Sequence, residues 1–369
     1  MPSMIPPLPA GTSVPVSAMP LISPNALLHA HVKQNPPRRP SNRAPFEPRP
    51  IQLNTGSLTH CSGSSLTKIG ATTIVCGVRA EILPVSEIPS FRIRKATSSD
   101  NQGESVRRPS RHDDDEEEEE EYSAISRYHL IIPNIELSTG CSPNHPANAA
   151  PSVEGQSVSQ RILSLLHSSR LVRTSDLEII YTPPPETHHP ELGIDADPQL
   201  KAYWVLYIDM ICISHGGSVF DAAWLALYAA LRDTILPKAW WDADLEQVLC
   251  AAELEHARRL RLRGMPVPSS FGVFVPEKRL LPDNQNGGQG DDQYWILMDT
   301  DGWEEESCRE TGCVTVDVED DSGAISILRI EKSGGSIVGA DQIMEITNFA
   351  ERRWRQWKDV LDNINVMRL

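Results

Sequence analysis

Residues 202–232 read AYWVLYIDMICISHGGSVFDAAWLALYAALR, and this stretch determines the expected fold. Tyr203–Ile213 is a nearly continuous apolar run rich in aromatic and β-branched residues, which is typical of a strand covered on both faces. After a turn at 215–218, Asp221 begins a second apolar segment whose alanines and leucines favour a helix. Because both segments are apolar all round, they predict a buried strand and a buried helix at the centre of the protein.

Composition limits what this core can belong to. The chain has 369 residues, 40% of them hydrophobic, with 30 prolines and a net charge of −16. Proline-rich and charge-rich segments cannot bury enough apolar surface to offset their chain entropy, so the folded part is expected to be shorter than the chain. A protein that grips nucleic acid by itself is usually basic. The acidic balance therefore argues against extensive nucleic-acid binding by this chain alone.

The cysteines and the apolar segments exclude several protein classes. Seven cysteines are scattered without a C-x-x-C pair, which favours reduced intracellular thiols over disulfides or a zinc site. A signal peptide is not expected, because no basic region and long apolar core occur near residue 1. No apolar run reaches 18 residues, so no membrane span is predicted.

The chain is expected to form one α+β domain with unfolded additions. Residues 1–36 are rich in proline, serine and alanine and predict a disordered tail, followed by a domain over 37–366. Within it, 86–127 predicts a disordered insertion that carries the acidic run Asp113–Glu121, and 182–199 and 283–292 predict loops. The acidic run could bind a basic partner, but a solvated spacer is the more frequent explanation.

The remaining elements follow from periodicity. Strands are predicted at Ile51–Gly56, Ser65–Leu83 (with a hairpin turn at Gly70 and Ala71), Tyr128–Leu137, Leu177–Tyr181, Ser269–Val275, Tyr294–Asp299, Gly312–Val318 and Ala324–Ile330. Helices are predicted at Gly155–Leu171 and, with less regular spacing, at Leu245–Arg263. A long terminal helix follows from apolar residues every three or four positions from Ile343 to Ile364.

Several groups of residues could carry chemistry. The acidic cluster at a strand end could hold magnesium or supply an acid–base pair, although a solvated loop is more common; it comprises Asp299, Asp301, Glu304, Glu305 and Glu306. The glycine-rich segment Ser333–Ala340 lacks a phosphate-loop pattern and favours a turn. Ser218 has no recognisable catalytic partners. His188 and His189 have no third ligand at suitable spacing, so neither a metal nor a cofactor is predicted.

Several ordered motifs resemble the RNase PH family. RPSNR, from Arg39 to Arg43, corresponds to an R-P-x-x-R lead in that family. The segment Gly63–Cys76 matches its G-S-[AS]-L-x-K-x-G-x-T-x-[VI]-x-C hairpin. The central strand and helix and the Gly-Gly-Ser before the terminal helix fit as well. The resemblance covers most of residues 39–366 and implies the RNase PH-like fold (ribosomal protein S5 domain 2-like), with mixed sheets packed against helices.

The departures from the family pattern bear on catalysis. Phosphorolytic members carry G-T-R-T after the central strand, where an arginine and hydroxyls bind phosphate. This chain has Ser218, Val219, Phe220 and Asp221 at those positions. An apolar ring cannot replace a guanidinium, and a carboxylate would repel phosphate. Active members also carry two aspartates six residues apart, which correspond here to Asp299 and Glu305. These four positions, Phe220, Asp221, Asp299 and Glu305, are expected to form a degenerate site.

The turn Gly217–Ala222 resembles the catalytically silent RNase PH-like subunits of the eukaryotic RNA exosome ring. That resemblance implies a hexameric ring of RNase PH-like chains, S1/KH cap proteins, an associated processive ribonuclease and RNA in a central channel. It also implies location in the nucleus, nucleolus and cytoplasm. The expected function is a structural subunit that supports RNA processing and degradation. A phosphate-dependent 3′→5′ exoribonuclease and a stand-alone RNA-binding module are the alternatives.

Four basic residues near the first hairpin are candidates for RNA contact: Lys68, Arg79, Arg92 and Arg94. In the family, loops after the first hairpins approach the channel, which favours Arg92 and Arg94. Each residue taken singly is more often a solvated surface group or an ion-pair partner.

Overall fold

The computed structural model describes residues 22–89, 91, 124–143, 145–146, 152–183, 198–276, 294–308, 310–319, 323–335 and 338–366. The helices are α1 (Pro24–Val32), α2 (Val153–Ser169), α3 (Val219–Asp233), α4 (Gly302–Ser307) and α5 (Ala340–Val366). The strands are β1 (Ile51–Thr55), β2 (Gly63–Ile69), β3 (Thr72–Pro84), β4 (Ile131–Leu137), β5 (Glu178–Tyr181), β6 (Gln199–Ser214), β7 (Ile235–Leu236), β8 (Ala239–Asp242), β9 (Gln247–Cys250), β10 (Arg258–Arg259), β11 (Val267–Phe274), β12 (Trp295–Met298), β13 (Glu310–Val318) and β14 (Ile325–Ser333).

The long strand β6 organises the first sheet, in the order β1-β2-β3-β6-β4 with β5 also paired to β6. β3 runs antiparallel to β6 from Thr73 opposite Ser214 to Pro84 opposite Ala202. β4 pairs with β6 in parallel and lies at the edge, where Pro133 is tolerated because it cannot donate a ladder hydrogen bond.

The helix α3 lies between this sheet and a second, antiparallel sheet of order β12-β11-β13-β14. All residues of α3 from Val219 to Leu231 are buried. α5 packs on the second sheet at β11 and β13 and also reaches β1. The predicted α+β architecture and its buried central helix are therefore confirmed.

Within this chain, the second half of β6 is covered on one face only. Ile211 and Ile213 are 45% and 52% exposed, whereas Met210 and Cys212 between them are buried. α3 packs only on the face that carries Met210 and Cys212. An apolar run alone cannot distinguish a strand covered on both faces from one covered on a single face.

The two amphipathic helices are confirmed. In α2 the predicted face of Val158, Ile162, Leu165 and Leu166 is buried, and the Ser152 hydroxyl caps the first turn by accepting from the amide of Gly155 at 3.0 Å. In α5 the predicted residues Ile346, Ala350, Trp354, Trp357 and Leu361 are buried. The hairpins β2–β3, β11–β12 and β13–β14 also occur where the alternation predicts them.

Three predictions of disorder or helix are corrected. The predicted tail 1–36 contains α1, because Leu28 and Val32 are buried against Phe274 and Leu297. The predicted insertion 86–127 ends in a helical turn at 124–127 that places Ile125 in the core. Residues 245–263 form strands and a 3₁₀ turn instead of a helix, since Arg258 and Arg259 pair with β7.

Other predictions fall on residues that the structure does not describe. These are the tail before residue 22, the acidic run Asp113–Glu121, Arg92, Arg94, His188, His189 and the loop 283–292. Among the helices that are described, none is both long enough and apolar enough to cross a membrane.

Candidate functional site

The turn between β6 and α3 lies at the centre of the candidate site. Gly217 and Ser218 both have positive φ angles, of 92° and 45°. A side chain at Gly217 would lie within 2.6 Å of the backbone of Thr300, Asp301 and Gly302, so only glycine fits this contact. The Ser218 hydroxyl donates to the carbonyl of Thr300 at 3.1 Å. The start of α3 is therefore held against the loop that follows β12.

Asp299, at the end of β12, is fully buried in an ion-pair cluster. It accepts hydrogen bonds from the backbone amide of Arg49 at 2.7 Å and from the Arg49 guanidinium at 2.8 and 3.1 Å. The guanidinium of Arg353 on α5 lies 3.7 Å away. Burial opposes the charge of Asp299, but Arg353 and Arg49 outweigh it and hold its pKa well below the usual range. The hydrogen bonds and ion pairs of this carboxylate are therefore made within the chain.

Asp221, in the first turn of α3, belongs to the same cluster. Its carboxylate accepts from the hydroxyl and the amide of Ser270 at 2.7 and 3.0 Å, and it pairs with Arg353 at 3.0 Å. Burial raises the pKa of Asp221, and the nearby Arg353 only partly offsets this effect. Arg353 thus links two buried carboxylates from two different elements.

Glu304 anchors the R-P-x-x-R segment to α4. Its carboxylate binds the guanidinium of Arg39 at 3.0 Å and that of Arg43 at 3.2 Å. Arg39 also donates to the carbonyls of Pro45 and Met298. Asp301 and Glu304 form a capping box at the start of α4. The two arginines of the motif therefore have a structural role, joining the chain before β1 to the second sheet.

A cavity of about 400 Å³ opens beside the start of α3. Its walls include Arg161, Ser218, Phe220, Ser270, Thr300, Glu305, Glu331 and Lys332. The guanidinium of Arg161 lies 3.9 Å from the centre of the Phe220 ring. Arg161 pairs with Glu331 at 2.8 Å, and Lys332 pairs with Glu310 at 2.9 Å. Both cations in the described walls are therefore already paired with carboxylates of the same chain.

Glu305 is the carboxylate of the predicted pair that does reach this cavity. It accepts from the Ser218 amide at 3.2 Å. Burial raises the pKa of Glu305, and the Ser218 hydrogen bond works against that shift. Asp299 and Glu305 have separate hydrogen-bond donors, and of the two only Glu305 lines this cavity.

A second cavity, of about 690 Å³, lies on the other side of Glu154 and Glu305. The imidazole of His215 binds Glu154 at 2.8 Å, and His145 stacks on His215 with ring centres 6.1 Å apart. The hydrogen bond to Glu154 is the largest influence on His215 and raises its pKa. Within the described parts of the chain, no group of three or more histidine, cysteine, aspartate or glutamate side chains is placed to hold a metal ion.

Phe220 and Asp221 are placed differently with respect to this cavity. Phe220 lines the cavity, whereas Asp221 lies outside the lining, with its carboxylate bound to Ser270 and Arg353. The sequence reasoning also missed Arg161, which brings a guanidinium over the Phe220 ring. Arg161 lies on α2, 59 positions before Phe220, so no local motif indicates the contact.

Two further cluster residues, Arg49 and Arg353, were also missed. Arg353 is 2% exposed between Arg352 and the buried Trp354. An arginine on the apolar stripe of a helix is a signal of a buried counter-charge, because a buried charge must be paired. Arg49 carries no such periodic signal.

Two of the four candidates for RNA contact lie in the described part of the chain, and both are on the first sheet. Lys68 on β2 and Arg79 on β3 are exposed, and Arg79 pairs with Glu81 at 3.1 Å. Lys68 lies opposite Thr73, six residues before Arg79 on β3, which corresponds to about 20 Å. The two residues therefore do not form a cluster with each other. Their role in RNA contact stays a prediction.

Comparisons with known proteins give matches in sequence and in fold. Residues 47–130 and 115–237 match the model of the RNase PH family, described as "3′ exoribonuclease family, domain 1". The chain is 32% identical over 245 residues to exosome complex component rrp43 of Schizosaccharomyces pombe, covering 66% of this chain and 69% of that protein. It is 25% identical over 206 residues to exosome complex component Rrp42 of Methanothermobacter thermautotrophicus, covering 56% and 55%.

A solved structure shares the fold. It is described as the Archaeoglobus fulgidus exosome with RNA bound to the active site, and the similarity has a TM-score of 0.56 at 17% identity. The alignment covers 92% of this chain and 98% of that one. At this identity the similarity concerns the fold alone.

Proposed function

The chain belongs to the RNase PH family of 3′ exoribonucleases, and from that premise we propose that it is a non-catalytic subunit of an RNA exosome core ring. It supports 3′→5′ processing and degradation of RNA, including rRNA maturation and mRNA turnover, without cleaving RNA itself. The relatives that it matches in sequence are named as exosome components. The run W-V-L-Y-x-D-[LM]-I-C-[IL] at 204–213 favours the position of ribosomal RNA-processing protein 43 within the ring.

Loss of catalysis is supported by the pairing of the cations around the cavity at Phe220 with carboxylates of the same chain. An attacking phosphate needs unpaired donors and cations, because its charge must be compensated when it leaves water. The cations in the described cavity walls, Arg161 and Lys332, are paired with Glu331 and Glu310. Glu154 and Glu305 add further carboxylates. An anion entering this cavity would meet more negative than positive groups.

The carboxylates support the same proposal. Asp299 corresponds to an aspartate of the active members, but here Arg49 and Arg353 bind it and it is completely buried. A general acid or a metal ligand must reach the substrate or the ion. Asp299 instead stabilises the junction between β12, α3 and α5.

As partners we propose the other RNase PH-like subunits of a hexameric ring, S1/KH cap proteins, an associated processive ribonuclease and RNA in the central channel. Lys68, Arg79, Arg92 and Arg94 are proposed RNA contacts within that channel. We also propose that the protein is present in the nucleus, nucleolus and cytoplasm, where such a complex would process RNA.

Two measurements on the same sample test the proposal. The full chain is co-expressed with its RNase PH-like partner chains, and native mass spectrometry of the purified assembly is expected to show one copy in a six-membered ring. The assembly is then incubated with RNA and inorganic phosphate, and nucleoside diphosphates are quantified. No release is expected from this subunit. Phosphate-dependent release that a Glu305→Gln substitution abolishes would identify an exoribonuclease instead.

A further inference from the structure

The fold brings two arginine-rich stretches, 90 residues apart in the chain, onto one surface. The first is 170–173, which follows α2, and the second is 258–263, which follows the 3₁₀ turn Leu254–His256. Val172 and Leu262 form an antiparallel bridge, and the amide of Arg263 donates to the carbonyl of Leu171 at 2.8 Å. We call the exposed arginines of these two stretches the arginine surface; its members are Arg173, Arg258, Arg259 and Arg261.

The register places exposed arginines side by side. Because Val172 pairs with Leu262 in antiparallel fashion, Arg173 lies opposite Arg261, and opposite residues of such a pair project to the same face. Arg173, Arg258, Arg259 and Arg261 are all exposed. Like charges that face each other across a ladder destabilise the fold unless a counter-charge is present. Their concentration here therefore needs an explanation beyond folding.

Asp176 supplies part of the compensation inside the chain. Its buried carboxylate accepts from the guanidinium of Arg261 at 3.2 Å, and its backbone carbonyl accepts from Arg258 at 3.3 Å. The Arg261 side chain nevertheless remains 64% exposed. Asp176 thus holds the two arginines in place while leaving guanidinium surface available to a ligand.

The arginine surface is separate from the cavity at Phe220. The amide of Leu260 donates to the carbonyl of Thr234, the C-cap of α3, at 3.1 Å, and β10 pairs with β7 just beyond that cap. The cavity lies at the opposite end of α3. Since α3 has 15 residues, the two sites are about 22 Å apart.

We infer that the arginine surface binds the phosphate backbone of single-stranded RNA. Four exposed guanidinium groups form it, and the planar guanidinium donates two parallel hydrogen bonds to a phosphate. The chain as a whole carries a charge of −16, so such a surface is a local site of attraction for a polyanion. The choice of RNA rests on the proposed function. An acidic protein segment is the competing ligand and is an outcome of the test below.

The test uses the full chain in its purified assembly, a fluorescent 20-nucleotide oligouridylate and anisotropy at several salt concentrations. The variant is Arg173→Gln with Arg259→Gln, because both side chains are exposed. The matched control is Arg352→Gln with Arg355→Gln, which removes the same charge from exposed positions on α5. Circular dichroism and native mass spectrometry establish that each variant folds and assembles.

The expected result is RNA binding at least fivefold weaker for the Arg173/Arg259 variant and within twofold of wild type for the control. Loss of two phosphate contacts should also reduce the slope of log affinity against log salt by about 1.4, since each contact to a single strand contributes about 0.7. An assembled variant that binds RNA as wild type does would overturn the inference without affecting the proposed function. Equal loss in the control would indicate a non-specific charge effect and would also overturn it. The inference would also be overturned if a polyglutamate peptide bound to wild type and lost affinity in the Arg173/Arg259 variant, while RNA binding was unchanged.

Discussion

The two ends of α3 use charged residues in opposite ways. At its start, the carboxylates of Asp221 and Asp299 are buried against the guanidinium groups of Arg353 and Arg49. Beyond its end, Arg173 and Arg259 are exposed although the chain is strongly acidic. Charges that find partners within the chain hold elements together, and charges left at the surface are available to a ligand. Under the proposed function the start of α3 has a structural role, while the opposite end presents exposed cations to a ligand.

The largest expected effect on stability comes from removing Arg353, a cation of the buried ion-pair cluster at the start of α3. Arg353→Met leaves Asp221 without its guanidinium partner and removes one of the two that Asp299 has. We expect the free energy of unfolding to fall by about 3–5 kcal/mol, because an uncompensated charge remains in the interior. Urea unfolding followed by tryptophan fluorescence measures it. The control Arg352→Met, at the exposed neighbouring position, should change stability by no more than about 0.5 kcal/mol.

A companion variant sharpens this result. Adding Asp221→Asn to Arg353→Met removes one of the stranded carboxylates, so part of the lost stability should return. A loss below about 1 kcal/mol for Arg353→Met alone would contradict the structural role of this cluster, since breaking a buried pair costs more than that.

An intermediate effect, on phosphate affinity, is expected when Arg161 in the cavity wall loses its carboxylate partner. Glu331→Gln removes the carboxylate that binds Arg161, so the guanidinium over Phe220 becomes available to an anion. Inorganic phosphate should then bind about fivefold more tightly than to wild type, a change of about 1 kcal/mol, as isothermal titration would show. Glu351→Gln is the matched control, because it unpairs the exposed Arg355 outside the cavity. Equal phosphate affinity in wild type and Glu331→Gln would mean that pairing does not close this site to anions.

The smallest effect concerns pH. The hydrogen bond to Glu154 raises the pKa of His215 above its ordinary value of about 6.5, so its contribution to stability is complete below that pH and is lost as the pH rises through the folded-state pKa. Relative to His215→Gln, wild type should therefore lose stability between pH 6 and pH 8. Glu154 is 45% exposed, so the change should stay under about 1 kcal/mol. Urea unfolding at both pH values measures it, with the exposed His256→Gln as control. A difference that does not change with pH would exclude this pair as a contributor.

Sequence reasoning located the periodic elements well and the contacts between distant elements poorly. Val158, Ile162 and Leu165 of α2 are buried as their spacing predicts, because a helix with one apolar face must cover it. α1 was missed, since Leu28 and Val32 are too few to give a periodic signal and become buried only when β11 and β12 are present. The stretch 245–263 has helical composition, but pairing of Arg258 and Arg259 with β7 overrides that propensity.

The candidate site shows the same division. The motif departures at Phe220 and Asp221 identified the correct turn, because these residues are contiguous in the chain. Whether each side chain faces the cavity depends on partners elsewhere, and Asp221 turns toward Ser270 and Arg353. Arg161 reaches the Phe220 ring from α2. Long-range ion pairs of this kind carry no local sequence pattern.

The amino-acid sequence by itself determined the central strand and helix, the hairpins and the terminal helix. Its motifs also carried the resemblance to RNase PH-like chains. Periodicity and ordered motifs record these properties locally. Only the tertiary structure decided which charges are buried and which face solvent, because burial and pairing depend on elements that meet across the fold. The ion-pair cluster around Arg353 and the arginine surface both arise in this way, through contacts between segments far apart in the chain.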